Sequence, residues 1–442
     1  MSRRRRKSPP AEPVITEIES LSHDGRGVSH VNGKTVFVDG ALPGEQVEFQ
    51  YTQTHGRFDE AKVLSVLSPS ADRVEAKCPH AALCGGCSLQ HMAPAAQVAY
   101  KHEVLLEQFT HIGEVQPETV VPPMTGAVWA YRRKARLGVR YVHKKGGVLV
   151  GFREKRNSFI TDINSCPILI DAVGQHIMAL RELISQLSVA KKIAQIEVAA
   201  SDAHTALVFR NLEPLSAEDE TLFQDFFTET GLHIYLQSGG LHTIAPLYPE
   251  AAQPLYYALP EQNLKLRFLA SDFTQVNADI NRQMINRALA WLDPQADETV
   301  LELFCGLGNF TLPLAQKAEK VIAVEGDAGL IERAGENAAE NQLTNIHYHV
   351  ADLMDADSTP TWAQETYQKV LLDPPRSGAL EVIQKLDFSG VNKLLYISCS
   401  PATLARDAGV LVRDKGFSLS QAGIMDMFPH TAHVESIALF EK

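Results

Sequence analysis

The sequence has no apolar run approaching the roughly 20 residues that a membrane-spanning helix needs. Its basic start, MSRRRRKSPP, is not followed by an apolar segment of the secretory kind. Neither a helical membrane protein nor a secreted one fits that pattern, and a cytoplasmic protein is expected. Internal repeats and long low-complexity stretches are also missing, which excludes solenoids and arrays. Cysteine is scarce, at six in 442 residues. An even count invites pairing, but nothing points to an oxidising compartment. Three of the six also crowd into the ten residues from Cys78 to Cys87, as metal ligands do. Positive charge is in deficit, with 41 Lys and Arg against 53 Asp and Glu, a net charge of −12. That weighs mildly against a nucleic-acid partner, although binding depends on where charge sits and not on its sum.

The basic residues that are present cluster. Arg3, Arg4, Arg5, Arg6 and Lys7 form one group, and Arg132, Arg133, Lys134, Arg136, Arg140, Lys144 and Lys145 form another. Either alone reads as a solvated face; beside the motifs below, they favour an RNA-facing role.

A chain of 442 residues exceeds what one hydrophobic core serves, so two or three domains are expected. The predicted class is multidomain α/β. Residues 1–12 read as a disordered basic tail. Across 13–72, short alternating runs such as GVSHVNGKTVFVDG and EQVEFQYTQTH, broken by HDGRG and LPGE turns, predict a small OB-like barrel. Residues 73–268 mix strands and helices into a central α+β domain. Within it, a helical stretch starts at Pro94, and the segment 94–124 is expected to pack on the C-terminal domain. From 269 to 442, TVLELF, KVIAVEG, NIHYHVAD, KVLLDPP and KLLYISCS alternate with helices. That rhythm predicts a doubly wound, Rossmann-like parallel sheet.

In TVLELFCGLGNFTLPLA a glycine turn joins a buried strand to a helix. Gly306 and Gly308 let the backbone approach a ligand at the strand's carboxyl end. Glu325 ends the next strand about 20 residues on, where an acidic side chain binds ribose hydroxyls. A dinucleotide is a rival ligand. S-adenosylmethionine is favoured because Phe310 replaces the third packing glycine and because Asp352 ends the third strand, where methyltransferases contact the adenine amino group.

The catalytic question follows. LLDPPRSG puts Asp373 before two prolines at a strand end; similar motifs in amino-methylating enzymes orient a target nitrogen, so N-methylation stays open on this motif alone. Cys399, in LLYISCSPATLARD, narrows the choice. An amine already has a lone pair, whereas C5 of a pyrimidine becomes nucleophilic only after a thiolate adds to C6. A base must then remove the C5 proton, and Glu435 in HVESIALF supplies one, with His430 and His433 nearby. Cys305, within the glycine turn, reads as structural.

These motifs, with FTQVN at 273–277, occur in the order seen in the RNA uracil-5-methyltransferase family, which the chain resembles over nearly its whole length. The resemblance implies that Cys399 is the nucleophile and Glu435 the base. It also implies that Gln275, Phe304, Asn309, Glu325, Asp352 and Asp373 hold cofactor or target base. Ser400 departs from the Asn that members often carry there. The N-terminal barrel resembles a TRAM domain, an RNA-binding module. Cys78, Cys84 and Cys87, with Cys166 about 80 residues later, resemble the 4Fe–4S site of the ribosomal RNA branch; the spacing alone also fits zinc. Both modules together resemble the branch that modifies a uridine of 23S rRNA, and a monomer is expected. Enzymes acting on two rRNA sites or on tRNA are the near alternatives. A methylthiotransferase is a distant one, since it needs C-x3-C-x2-C where this chain has C-x5-C-x2-C. A non-catalytic RNA-binding factor would bind no cofactor.

Overall fold

The computed structural model describes residues 9–251, 253–354 and 361–442. The basic cluster Arg3–Lys7 and the side chain of Lys145 lie outside the described residues. The chain forms two compact units. The first runs to Val104 and takes in Arg153–Thr161 and Phe428–His433; the second holds Leu105–Phe152, Asp162–Met427 and Val434–Lys442.

In the first unit, six strands form one sheet: β1 (Val14–Glu17), β2 (Ser20–Leu21), β3 (Gly27–Val31), β4 (Lys34–Asp39), β5 (Gln46–Thr54) and β6 (Phe58–Ser68), in the order β1-β5-β6-β4-β3-β2. Alternation explains the core: Val36 and Val38 of β4 and Val47 and Phe49 of β5 point inward and are fully buried with Ile18 and Ala61. Register shifts along β5 and β6 bend the pair. A 2.6 Å hydrogen bond joins the Thr16 and Ser29 hydroxyls of β1 and β3. The cysteine loop follows. It is pinned where the amides of Ser88 and Leu89 donate to the His430 carbonyl, at 3.0 and 2.9 Å, and where the Gly85 amide donates to the Arg153 carbonyl at 2.8 Å. Helix α1 (Pro94–Gln108) starts on proline at its first position, where no backbone donor is missed.

In the second unit a π-helical turn, Phe109–Gly113, extends α1. Gly113 lies so close to the helix Pro401–Arg413 that a Cβ there would stand 2.6 Å from the Ala405 carbonyl oxygen, so only glycine fits. The short β7 (Thr119–Val120) then joins a large sheet. A six-stranded sheet comes next, built from β8 (Lys134–Val142), β9 (Gly147–Gly151), β10 (Ile193–Ala200), β11 (Thr205–Asn211), β12 (His233–Gln237) and β13 (Ile244–Tyr248). Helices α2 (Asp171–Gly174), α3 (Ile177–Gln186) and α4 (Ala217–Thr230) accompany it. A hairpin, β14 (Leu255–Leu259) with β15 (Leu264–Phe268), leads to α5 (Ala278–Leu292).

The C-terminal part contains β16 (Thr299–Leu303), α6 (Thr311–Ala315), β17 (Lys320–Glu325), α7 (Ala328–Glu340), β18 (Ile346–Val350), β19 (Lys369–Leu372), α8 (Leu380–Lys385), β20 (Lys393–Ser398), α9 (Pro401–Arg413), β21 (Ser418–Met425) and β22 (Glu435–Glu441). Its sheet order is β18-β17-β16-β19-β20-β22-β21-β7. The five strands from β18 to β20 are parallel; the inner four, β17, β16, β19 and β20, are buried on both faces, which is why they read as apolar runs, while β18 at the edge is half-exposed. β22 inserts antiparallel between β20 and β21. A dinucleotide-binding sheet continues 3-2-1-4-5-6 instead, so the insertion separates the two ligand readings left open by the glycine turn.

Candidate active site

The glycine turn leaves the carboxyl end of β16, the strand beside the reversal of strand order where open α/β sheets bind ligands. Phe304 takes φ = 64°, Gly306 57° and Gly308 99°. Phe304 is the unusual member, a bulky residue in left-handed backbone at the mouth of the turn. Glu325, from the end of β17, braces the turn: one carboxylate oxygen accepts from the Gly306 amide at 3.1 Å, the other from Gly326 and Asp327 at 2.8 and 3.1 Å. Asp352 lies beyond β18, exposed, and accepts from the Met354 amide at 2.9 Å. A Cβ built on Gly306 would meet nothing within 4 Å, so the turn faces open space. Oε2 of the fully buried Glu302, on β16, has no hydrogen-bond partner. An open glycine cradle with acidic groups around it fits a ligand bearing ribose hydroxyls and a cationic centre.

Asn309 closes the turn, and its amide is engaged: its Oδ1 accepts from the Tyr257 hydroxyl at 2.9 Å and from Asn281 Nδ2 at 3.0 Å. Gln275 lines a small pocket with Tyr257, Asn281, Arg133 and Arg282.

The nucleophile candidate and the base candidate meet by register. Ser398 pairs with Ser436 across β20 and β22, and the Ser436 hydroxyl donates to the Ser398 carbonyl at 3.2 Å. The next residues, Cys399 just beyond β20 and Glu435 at the start of β22, therefore lie at the same end of the sheet. The Ser398 hydroxyl donates to the Ser400 carbonyl and accepts from the Ser400 amide, both at 3.0 Å, which clamps the Cys399 turn at the start of α9. Burial pushes the Cys399 thiol up to about 11, and the neighbouring Glu435 and Asp373 push the same way while Arg376 opposes them. Burial, aided by Glu435, also raises the Asp373 carboxyl to about 8. Glu302 rises to about 8 through burial, with Asp373 and Glu325 contributing. Cys399, Glu435, Asp373 and Arg376 thus form one electrostatic neighbourhood.

His430 and His433 belong to the first unit and Glu435 to the second. The backbone amide of His430 donates to Gln97 at 2.7 Å, and the His433 ring meets Phe428 edge-on. Cys305 is buried, as befits a structural residue. Sequence reasoning missed Glu302, although a carboxyl within the apolar run TVLELF is a visible signal. It also missed Tyr257, Asn281 and Asp407, which carry none. Cys78, Cys84 and Cys87 belong to the first unit and Cys166 to the second. All four are buried thiols, 8% or 9% exposed. Among the described residues no group of three or more His, Cys, Asp or Glu side chains is gathered as a metal site.

Comparison with known proteins bears on this geometry. Residues 255–442 match the tRNA (Uracil-5-)-methyltransferase family, and residues 16–64 match the TRAM domain. The chain is 52% identical over 440 residues to the 23S rRNA (uracil(1939)-C(5))-methyltransferase RlmD of Methylococcus capsulatus, covering 100% of this chain and 99% of the relative. It is also 52% identical over 448 residues to RlmD of Hahella chejuensis, with complete coverage of both. The tRNA (uracil-54, C5)-methyltransferase of Pyrococcus abyssi, solved with S-adenosyl-L-homocysteine, shares the fold at a TM-score of 0.73 and 21% identity, over 97% of this chain and 100% of that one. With identity near one half over the full length of both chains, the chain belongs to the RlmD family of 23S rRNA (uracil-C5)-methyltransferases.

Proposed function

We propose that the chain methylates C5 of a uridine in 23S rRNA, with Cys399 as nucleophile and Glu435 as base. The observation carrying this reading is the β20/β22 register, which brings a thiol and a carboxylate to one strand end, at the same edge of the sheet as the glycine turn after β16. Relatives named RlmD act on uracil 1939, and the same nucleotide is the proposed target.

Phe304, Asn309, Glu325 and Asp352 would hold S-adenosylmethionine, and Gln275 and Asp373 the methionyl end or the base. When bound, the cofactor supplies an electrophilic methyl group. Cys399 gives its proton to bulk water and adds through Sγ to C6, and the ring electrons pass to O4 as an enolate. C5 then takes the methyl group. Glu435 accepts the C5 proton, the C6–S bond breaks with its electrons returning to sulfur, and the thiolate is restored. The free enzyme keeps Cys399 as a thiol. Arg376 and the amino end of α9 favour the thiolate once the base is seated. Asp373, protonated at neutral pH, can donate a hydrogen bond to a uracil carbonyl oxygen.

The TRAM barrel is proposed to bind RNA. Cys78, Cys84, Cys87 and Cys166 are proposed to hold a structural 4Fe–4S cluster, because an all-thiol, buried and reduced donor set suits iron–sulfur chemistry. A cytoplasmic monomer completes the reading; no helix among the described residues is long and apolar enough to cross a membrane.

The test is covalent trapping. Cys399→Ala should abolish both methylation and the adduct with 5-fluorouridine RNA. Glu435→Gln should accumulate a methylated RNA adduct, since addition and transfer precede proton loss. An active Cys399→Ala enzyme would refute the nucleophile, and no adduct with Glu435→Gln would refute the base.

A further inference from the structure

Asn309 is held from two directions by residues outside the glycine turn. From α5, Asn281 donates Nδ2 to Asn309 Oδ1 at 3.0 Å and accepts from Asn309 Nδ2 at 2.9 Å. From β14, the Tyr257 hydroxyl donates to the same Oδ1 at 2.9 Å. Both lone pairs of Oδ1 are thereby used, and one amide hydrogen remains to meet a ligand.

Tyr257 is half-buried, and desolvation pushes its phenol well above the ordinary value. A phenylalanine there would require no partner, whereas a desolvated tyrosine hydroxyl needs one. Its partner here is the amide that closes the cofactor turn. The hairpin carrying Tyr257 is itself fixed. Asn337 of α7 accepts from the Arg267 amide at 2.7 Å and donates to its carbonyl at 3.0 Å, and Asn341 does the same for Lys265 at 3.1 and 2.8 Å. Two asparagine side chains thus cap the free edge of β15. Arg282 ties α5 to the hairpin through the Ala258 carbonyl at 3.2 Å. Tyr257 and Asn281 also line the pocket that contains Gln275.

We propose that Tyr257 and Asn281 are positioning residues for S-adenosylmethionine, acting through Asn309 by presenting its one remaining amide hydrogen in a set direction. The inference rests on the reading of Asn309 as a cofactor residue. The hairpin is then part of the cofactor site although it belongs to neither large sheet, and any displacement of it lowers cofactor affinity.

The experiment measures S-adenosylhomocysteine binding by calorimetry to the full chain and to Tyr257→Phe, Asn309→Ala and the double variant, with Asn281→Asp as a second probe. Losing one hydrogen bond to the positioning network should weaken Tyr257→Phe about 3- to 10-fold. KM for S-adenosylmethionine should rise by a similar factor with kcat at saturation unchanged. Because Tyr257 acts through Asn309, the double variant should bind no more weakly than Asn309→Ala alone. Asn281→Asp keeps the acceptor and loses the donor, and should weaken binding comparably. Wild-type binding by Tyr257→Phe and Asn281→Asp beside a weakened Asn309→Ala would overturn the positioning role. So would a double variant whose loss is the product of the two single losses. If Asn309→Ala itself binds as wild type, the reading of Asn309 fails first, and the inference falls with it.

Discussion

The Tyr396 hydroxyl donates to Asp407 Oδ2 at 2.7 Å, and the same oxygen accepts from the Ala379 amide at 2.8 Å. The other oxygen takes Arg406 Nε at 2.8 Å, and Arg406 Nη2 reaches the Ser377 carbonyl at 2.9 Å. Asp407 is fully buried on α9, the helix that Cys399 precedes, and Ala379 ends the loop that carries Asp373 and Arg376. One carboxylate therefore holds the loop against the helix that follows Cys399.

Asp407→Ala leaves a buried hydroxyl and a buried amide without acceptors, and should cost about 2–5 kcal/mol of stability in denaturant unfolding. Methylation should fall about 10- to 100-fold through misplacement of Asp373 and Arg376. Tyr396→Phe removes one donor and should cost only about 1 kcal/mol. Equal losses for the two variants would contradict this ranking.

Alkylation of Cys399 by iodoacetamide, followed by peptide mass spectrometry, should be slow at pH 7 and accelerate about tenfold per pH unit up to the raised thiol value near 11. Glu435→Gln removes a negative neighbour, lowers that value and should speed alkylation at pH 8. A rate independent of pH between 7 and 9 would mean that the thiol is already ionised.

Glu302 and Asp373 both hold their protons up to about pH 8 in the folded protein, against ordinary carboxyl values in the unfolded chain. The folded state therefore binds protons more tightly. The stability this contributes is full below about pH 4.5 and is lost as pH rises through 8, at most about 1.4 kcal/mol per pH unit for each group. Thermal melts should fall between pH 5 and 8, and Glu302→Gln should flatten that fall. An unchanged slope would show that Glu302 ionises normally.

Anaerobically purified protein should contain about four iron and four acid-labile sulfide per chain if the cysteines hold the proposed cluster. Cys166→Ser should lower both. Stoichiometric zinc without sulfide would replace the cluster with a zinc site.

Much of the C-terminal domain was legible because parallel strands buried on both faces must be apolar runs, and because a turn with positive φ announces itself through Gly306 and Gly308. The β22 insertion was not legible, since a strand's neighbours depend on pairing across the sheet and not on its own pattern. His430 illustrates the same limit: its backbone meets Gln97 and the cysteine loop, more than 300 residues away in sequence, a pairing that no local pattern announces. Tyr257 and Asn281 were invisible because a hydrogen bond between residues far apart in sequence leaves no periodicity.

By itself, the sequence determined which groups the proposed chemistry can use: a glycine turn for the cofactor, a thiol proposed for C6 and a carboxylate proposed for the C5 proton, each readable from residue type. The tertiary structure decided which of these groups meet. The Ser398–Ser436 register sets Cys399 beside Glu435, and the same packing raises the thiol and the Asp373 carboxyl, because desolvation and neighbouring charge exist only once the strands have come together.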